Sequence, residues 1–333
     1  MKRLNKERVS AFLREMNEIQ AVLCPCAIGG RDSILMPLAE GSRQEPVGKT
    51  TNSAKGALFP QKEDIIAFMG DRILKRMATE KVLVFGIRPC DMMGIHFTDR
   101  FMTRGGFRDP HYSARRDNLT LIVVACREPP TESCFCVDAE RKPYLDGGFD
   151  LQLFDVGDDY IAVPGSRRGE SLMANPHFKE SPDGDTVELV EFKRKSLESQ
   201  GAGPGFSKAV ERLKGDGPDE AFWESLATRC IDCGSCVYVC PTCTCFNVFD
   251  LSSETGFVRY RTWDACLHAG FTRETSGHNP RPTLGSRLAR RHEHKLKFDV
   301  LNYGEAGCVG CGRCSDACPV GLGAIEIIEA INT

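Results

Sequence analysis

Eight cysteines near the C-terminus stand in two copies of one spacing, Cys230-x2-Cys233-x2-Cys236-x3-Cys240-Pro241 and Cys308-x2-Cys311-x2-Cys314-x3-Cys318-Pro319. Three closely spaced thiolates can wrap one side of a compact, net-anionic object. A fourth, ahead of a proline, then reaches across to a neighbour; this is the ligand pattern of paired 4Fe-4S clusters. The expected sets are therefore crossed: Cys230, Cys233, Cys236 and Cys318 for cluster one, and Cys308, Cys311, Cys314 and Cys240 for cluster two. Gly234, Gly310 and Gly312 between the ligands permit left-handed turns that aim backbone N–H groups at sulfur. A pair of four-cysteine zinc sites is the competing chemistry, but zinc sites favour two separated C-x2-C pairs over a run of three.

A second set of thiols lies far upstream. Residues 81–87 read as a buried strand running into Arg88-Pro89-Cys90-Asp91 and a helix over 92–102. Residues 119–125 repeat the device and end in Cys126, after which a loop carries Cys134-Phe135-Cys136. Sites in open α/β sheets assemble beyond the carboxyl ends of strands, where Cys90 and Cys126 fall. In an extended segment Cys134 and Cys136 turn to the same side. These four are the candidate ligands of a third iron–sulfur cluster, with Arg88 and Arg127 placed to offset its charge. The alternative is that Cys90 and Cys126 are buried core thiols and Cys134 and Cys136 a redox-active or idle pair.

The elements that must position these residues fit two domains, given 333 residues. A balance of 43 basic against 46 acidic residues gives no global field for nucleic acid or an anionic membrane. No apolar run reaches the length of a membrane span. The charged first twenty positions lack the apolar core of a signal peptide, so a cytoplasmic location is expected. Seventeen cysteines in such a chain point to metal ligation rather than a disulfide scaffold.

Residues 5–20 read as an amphipathic helix, with Val9, Leu13 and Met16 on one face, and residues 63–78 as another. Cys24-Pro25-Cys26 reads as a loop or strand end, and residues 28–60 as loops and short strands. A hairpin is expected over 149–163 and a short helix over 165–174. The glycines of 199–205 mark a linker. The expected fold is a mixed α/β domain over 1–200, carrying the third site, followed by an α-helical two-cluster domain over 206–333. Helices over 206–213 and 219–228 lead into the first cysteine run. Cys243, Cys245 and Cys266 in the long insertion between the runs read as packing around the clusters. The basic run containing Arg281, Arg287, Arg290, Arg291, Lys295 and Lys297, with His292 and His294, has the look of a solvated helix face, alternatively a counter-charge to the clusters or a docking face.

In combination, Gly86-Ile87-Arg88-Pro89-Cys90-Asp91, Cys134-Phe135-Cys136, Cys240-Pro241-Thr242-Cys243-Thr244-Cys245-Phe246, Gly277-His278-Asn279-Pro280-Arg281-Pro282 and Cys308-Val309-Gly310-Cys311-Gly312-Arg313-Cys314 resemble one family. It is the dicluster ferredoxin-type proteins that include an iron–sulfur subunit of anaerobic sulfite reductase and the beta subunit of cytoplasmic sulfhydrogenases. The matching stretches run from about residue 58 to the end. The resemblance implies an electron relay between a catalytic subunit, of sulfite reductase, nickel–iron hydrogenase or heterodisulfide reductase type, and a flavin- and NAD(P)-binding reductase subunit. It also implies cysteines matching Cys90, Cys126, Cys134 and Cys136, whereas Cys24 and Cys26 lie outside the family pattern. The chain carries no nicotinamide or flavin fingerprint of its own, so it reads as a one-electron wire without bond chemistry. The rival is a thiol-dependent sulfur or disulfide reductase that uses Cys243 and Cys245, or Cys134 and Cys136, beside a cluster.

Overall fold

The computed structural model describes every residue except 30–31, 40–47, 71, 76 and 254–255. Its N-terminal part is built on an eight-stranded mixed sheet. The strands in chain order are β1 (Lys2–Asn5), β2 (Ala21–Gly29), β3 (Asp32–Pro37), β4 (Lys62–Met69), β5 (Arg72–Lys75), β6 (Val82–Ile87), β7 (Leu119–Val124), β8 (Leu151–Asp155), β9 (Asp159–Pro164), β10 (Phe178–Glu180), β11 (Phe246–Ser253) and β12 (Gly256–Trp263). The large sheet runs β10-β1-β9-β8-β7-β6-β2-β3. Its central strands β2, β6, β7 and β8 are parallel. Buried on both faces, β6 and β7 read as nearly continuous apolar runs, Val-Leu-Val-Phe-Gly-Ile and Leu-Thr-Leu-Ile-Val-Val.

Helix Val9–Ile19 packs Val9, Phe12, Leu13 and Met16 onto this sheet. Its start lies later than the expected residue 5, because residues 2–5 pair with both β9 and β10 as an added strand. Helix Pro89–Met102 follows β6 directly, opened by Asp91, whose carboxylate accepts the Arg88 N–H at 3.2 Å. The hairpin over β8 and β9 and the helix Arg167–Leu172 fall where the sequence put them. Of the 28–60 stretch, 30–31 and 40–47 lie outside the described residues; the remainder contains β3 and a single helical turn, Lys55–Leu58.

The helix expected over 63–78 is not formed. That segment is the β4–β5 hairpin, turning at Gly70 (φ +59°), and β4 pairs antiparallel with β12 from the far half of the chain. The four-stranded sheet β11-β12-β4-β5 therefore draws strands from both halves. Two apolar templates overlap in this segment, and the long-range partner decides between them. Arg261 on β12 seals the pairing from a buried position. It donates to Glu63 on β4 at 2.7 Å and to Asp109 at 2.6 Å, while Arg115 completes the network on Glu63.

The C-terminal part is mainly helical. Helices Phe206–Lys214 and Glu220–Ala227 precede the first cysteine run, and Ala324–Asn332 closes the chain against Phe206–Lys214. Helix Leu284–Glu293 continues through a π-type turn, His294–Phe298, into Asp299–Tyr303. The basic run is divided: Arg281, Arg290 and Lys297 are half-buried and His294 is exposed, while the rest turns inward. Arg287, Arg291, His292 and Lys295 are all buried, with Arg291 at 3% and Lys295 at 7% exposure.

The two parts meet at a tight backbone seam. The Phe135 N–H donates to Gly310 O at 2.9 Å. A Cβ on Gly310 would lie 2.6 Å from Phe135 O, and one on Gly312 2.1 Å from Ser133 O. Both glycines are left-handed, at φ +64° and +71°. Gly105 is also left-handed (φ +65°) but has open space around it. In thermal unfolding, Gly105→Ala should lose about 1 kcal/mol, the cost of the backbone region alone, and Gly312→Ala should lose several-fold more together with bound iron. Equal losses would show that the seam contributes nothing.

Candidate iron–sulfur centres and the seam between them

Three cavities in the structure are ringed by cysteine sulfur. One is lined by Cys230, Cys233, Cys236 and Cys318, with Leu267, Leu288 and Leu322 as apolar walls. A second is lined by Cys240, Cys308, Cys311 and Cys314, with Phe135, Arg291, Lys295 and Ile328. The third is lined by Cys90, Cys126, Cys134 and Cys136, with Lys49, Arg88, Gln200 and Cys311. Their empty volumes are about 380, 470 and 350 Å³. Among the described residues, no three His, Cys, Asp or Glu side chains converge closely enough for a single metal ion; the sulfurs stand around voids instead.

Local structure explains each set. Gly234 and Gly312 are left-handed and open the short helices Ser235–Tyr238 and Arg313–Asp316, each of which carries the third cysteine of its run. Backbone N–H groups point at sulfur: Leu322 to Cys318 at 3.2 Å and Ala324 to Cys314 at 3.3 Å. Upstream, β6 delivers Cys90 to the first turn of helix Pro89–Met102, whose positive end suits an anion. Cys126 follows the end of β7, and its N–H donates to Pro143 O at 2.8 Å. Between Cys134 and Cys136, the Phe135 side chain joins the core of the C-terminal part.

The electrostatics are those of sites built for negative charge. The Lys49 Nζ, its side chain 5% exposed, donates to Thr131 at 2.6 Å, to Asp316 at 2.6 Å and to Cys311 O at 3.1 Å, and lies 3.7 Å from Cys134 Sγ. Arg313 is completely enclosed. It donates to Asp91 at 2.9 Å and Thr50 O at 2.8 Å and lies 3.9 Å from Cys90 Sγ. Truncating Arg313 would leave Asp91 buried without its partner, a loss of about 3–5 kcal/mol. Lys295 donates to Thr242 at 2.6 Å and to Gly307 O at 3.0 Å. Desolvation lowers its pKa, but Cys240 and Cys243 more than reverse this and hold it well above the usual lysine value. Among the described residues Arg88 Nε and Arg291 Nε, buried at the third and second cavities, have no hydrogen-bond partner. Orphan donors of this kind call for an acceptor that the protein itself does not supply. The residues present therefore fit anionic 4Fe-4S groups. Burial pushes the Cys236 and Cys308 thiols up to about 11 and Cys311 to about 12. Binding a cluster at neutral pH must therefore release protons.

The remaining sulfurs differ. Cys24 and Cys26 lie mid-strand on β2, not in a loop, buried in the sheet core with their sulfurs 3.7 Å apart. Burial pushes Cys24 up to about 12, and neither residue lines any of the three cavities. Arg88 is buried beside Cys126 rather than solvated, whereas Arg127 is exposed. Reading the residues in sequence missed Lys49, Lys55 and the seam role of Arg313, because lone cations in loops carry no periodic signal.

Fold and centres together define a 4Fe-4S dicluster protein with an additional α/β part, and residues 229–322 match the family described as the 4Fe-4S dicluster domain. Over 276 residues, 78% of this chain and 78% of the relative, the sequence is 31% identical to sulfhydrogenase 2 subunit beta of Pyrococcus furiosus. The chain belongs to the family of iron–sulfur electron-transfer subunits that includes that protein. No solved structure matches it. Among the described residues no helix is long and apolar enough to cross a membrane.

Arg291 touches both halves of the dicluster domain, donating to Cys236 O at 3.1 Å while lining the Cys240 cavity. A unit charge about 6 Å from a cluster, at an effective dielectric of about 20, is worth roughly 3 kcal/mol. Arg291→Gln should therefore lower a cluster midpoint potential by on the order of 100 mV in an EPR-monitored titration. Unchanged potentials would show that this cation is screened.

Proposed function

We propose that the chain is a three-station electron wire in a multi-subunit oxidoreductase of sulfhydrogenase type. Cluster one is held by Cys230, Cys233, Cys236 and Cys318, and cluster two by Cys308, Cys311, Cys314 and Cys240. A third 4Fe-4S cluster is held by Cys90, Cys126, Cys134 and Cys136. When bound, the clusters accept and release electrons singly, and the chain's own residues set spacing, charge and solvent access.

The observation that carries the third station is the cavity ringed by Cys90, Cys126, Cys134 and Cys136, which shares Cys311 with the neighbouring cavity. That shared residue sets the order third, second, first. Lys49 spans the gap between Cys134 and Cys311 and offsets charge at both stations. At the other end Cys233 is exposed, so station one faces the surface where a partner protein would exchange electrons. The partners in this reading are a catalytic subunit, of hydrogenase, sulfite reductase or heterodisulfide reductase type, and a flavin- and NAD(P)-binding reductase subunit. The relative's name, a sulfhydrogenase subunit, favours the hydrogenase type.

Iron and acid-labile sulfide in anaerobically purified protein should approach about twelve of each per chain, from the four-iron composition of each cluster. Cys134→Ala should remove about four irons and one EPR component, while Cys24→Ala should remove none. About eight irons in both the parent and the Cys134→Ala protein would reduce the wire to two stations.

A further inference from the structure

The two cysteine runs are one device built twice, so each serves as a control for the other. Cys230-Ile231-Asp232-Cys233-Gly234-Ser235-Cys236 and Cys308-Val309-Gly310-Cys311-Gly312-Arg313-Cys314 align position for position. Gly234 and Gly312 share a left-handed backbone, at φ +72° and +71°, and open the short helices Ser235–Tyr238 and Arg313–Asp316. Two positions earlier the backbone is left-handed again, at Gly310 (φ +64°) in the second run and at Asp232 (φ +55°) in the first. Among the described residues only one other non-glycine, Glu140, takes this conformation. A Cβ is unfavourable there, although aspartate is among the side chains that tolerate it best.

Asp232 is also poorly satisfied. Its Oδ1 is buried and, among the described residues, has no hydrogen-bond partner. Its Oδ2 lies 3.6 Å from the Arg287 guanidinium, too far for a hydrogen bond. Arg287 donates instead to the carbonyls of Leu267, Arg281 and Pro282. A strained backbone and an orphan carboxylate oxygen in one ligand loop are both unfavourable, and such features gather where function needs them. Charge is what separates the two sites. Hydrogen bonds to sulfur are matched, since the Leu322 N–H points at Cys318 at 3.2 Å and the Ala324 N–H at Cys314 at 3.3 Å. The hydroxyls of Ser235 and Thr242 lie 3.4 and 3.2 Å from Cys233 and Cys240. No charged side chain lines the first cavity, whereas Arg291 and Lys295 line the second. Fixed negative charge beside a cluster disfavours an added electron, and fixed positive charge favours it. Exposure of Cys233 lets water solvate added charge at the first site, so an acid in that loop is what keeps the site low.

We propose that Asp232 holds the first cluster site below the second in reduction potential. The exposed end of the wire is then the port, and the cation-lined second site is where an electron comes to rest. Each reduction adds one electron to one site, and no bond forms or breaks. An electron received at the surface is drawn inward, and return from the second site to the first is the uphill direction. This inference rests on the ligation proposed above for clusters one and two and does not depend on the third station.

The test is an anaerobic, EPR-monitored potentiometric titration of the cluster-loaded protein with dithionite as reductant. Cys233→Ser, which changes or removes the signal of the first site, assigns that signal, and Cys134→Ala assigns any third one. In the parent the first site should be reduced at a lower potential than the second. Asp232→Asn keeps a side chain that accepts the left-handed backbone and removes only the charge. It should raise the midpoint of the first site and leave the second nearly unmoved. Asp232→Gly, which installs the residue of the second run, should raise it alike. An unmoved first midpoint in both variants overturns the proposal, as does a first site above the second in the parent. A rise in Asp232→Gly alone also overturns it, because backbone and not charge would then be the cause. Should a variant fail to hold iron, the order of the two sites in the parent still decides. Iron well below about eight per chain in the parent would sink the ligation itself, whereas full iron with unmoved midpoints sinks this inference alone.

Discussion

Buried positive charge is the constraint on which the rest of the structure depends. Arg291, Lys295, Arg313 and the side chain of Lys49 are all withdrawn from water. Two of them, Lys49 and Arg313, have one carboxylate partner each, Asp316 and Asp91. Burying a charge without compensation costs far more than a domain can lose. Sulfur-held negative charge is the compensation available, and in each case it lies within the same shell of side chains. The cations and the thiols are mutually necessary, and the fold is arranged so that they meet at the seam between the two parts.

The sheet serves that meeting. Parallel strands β6 and β7 end side by side, so Cys90 and Cys126 emerge at the same edge, and the loop after β7 brings Cys134 and Cys136 back over them. The seam glycines then allow the second cysteine run to approach this loop backbone to backbone, a distance that any side chain would prevent. The antiparallel sheet of β4, β5, β11 and β12 ties the same two parts together a second time, with Arg261 and Glu63 buried in its pairing. Two independent attachments hold the third cavity against the second, with Cys311 common to both.

Sulfur takes three distinct forms here, and environment alone separates them. Cys24 and Cys26 are apolar core, with burial keeping Cys24 protonated. The twelve ring sulfurs face voids, and buried cations line the second and third of these. Cys245 and Cys266 lie part-exposed at the open end of the β11–β12 hairpin, where Cys245 O accepts the Asp264 N–H at 3.0 Å. The π-type turn at His294–Phe298 matters to the ring sulfurs, since it carries Lys295 inward to the wall of the second cavity. Such a local departure from α-helical winding has a cost and is commonly found at functional positions.

What the sequence determined by itself was the chemistry carried by short spacings. The two C-x2-C-x2-C-x3-C-P runs dictate cluster-type ligation because three sulfurs on one tight loop can converge on little else. The apolar runs of β6 and β7, each leading into a cysteine, were legible because fully buried parallel strands leave no polar alternation. Only the tertiary structure decided the rest. Residues 63–78 became a hairpin because β12, nearly two hundred residues away, supplied the pairing edge. Arg291 and Lys295 of the basic run became buried counter-charges because their neighbours are thiols rather than water. Lys49 and Arg313 acquired roles that depend on which sulfur lies across the seam, and Lys55 one that depends on the carbonyls of Val237 and Cys243. Local patterns encode local geometry, whereas charge compensation and sulfur contact depend on distances between segments that no window of sequence contains.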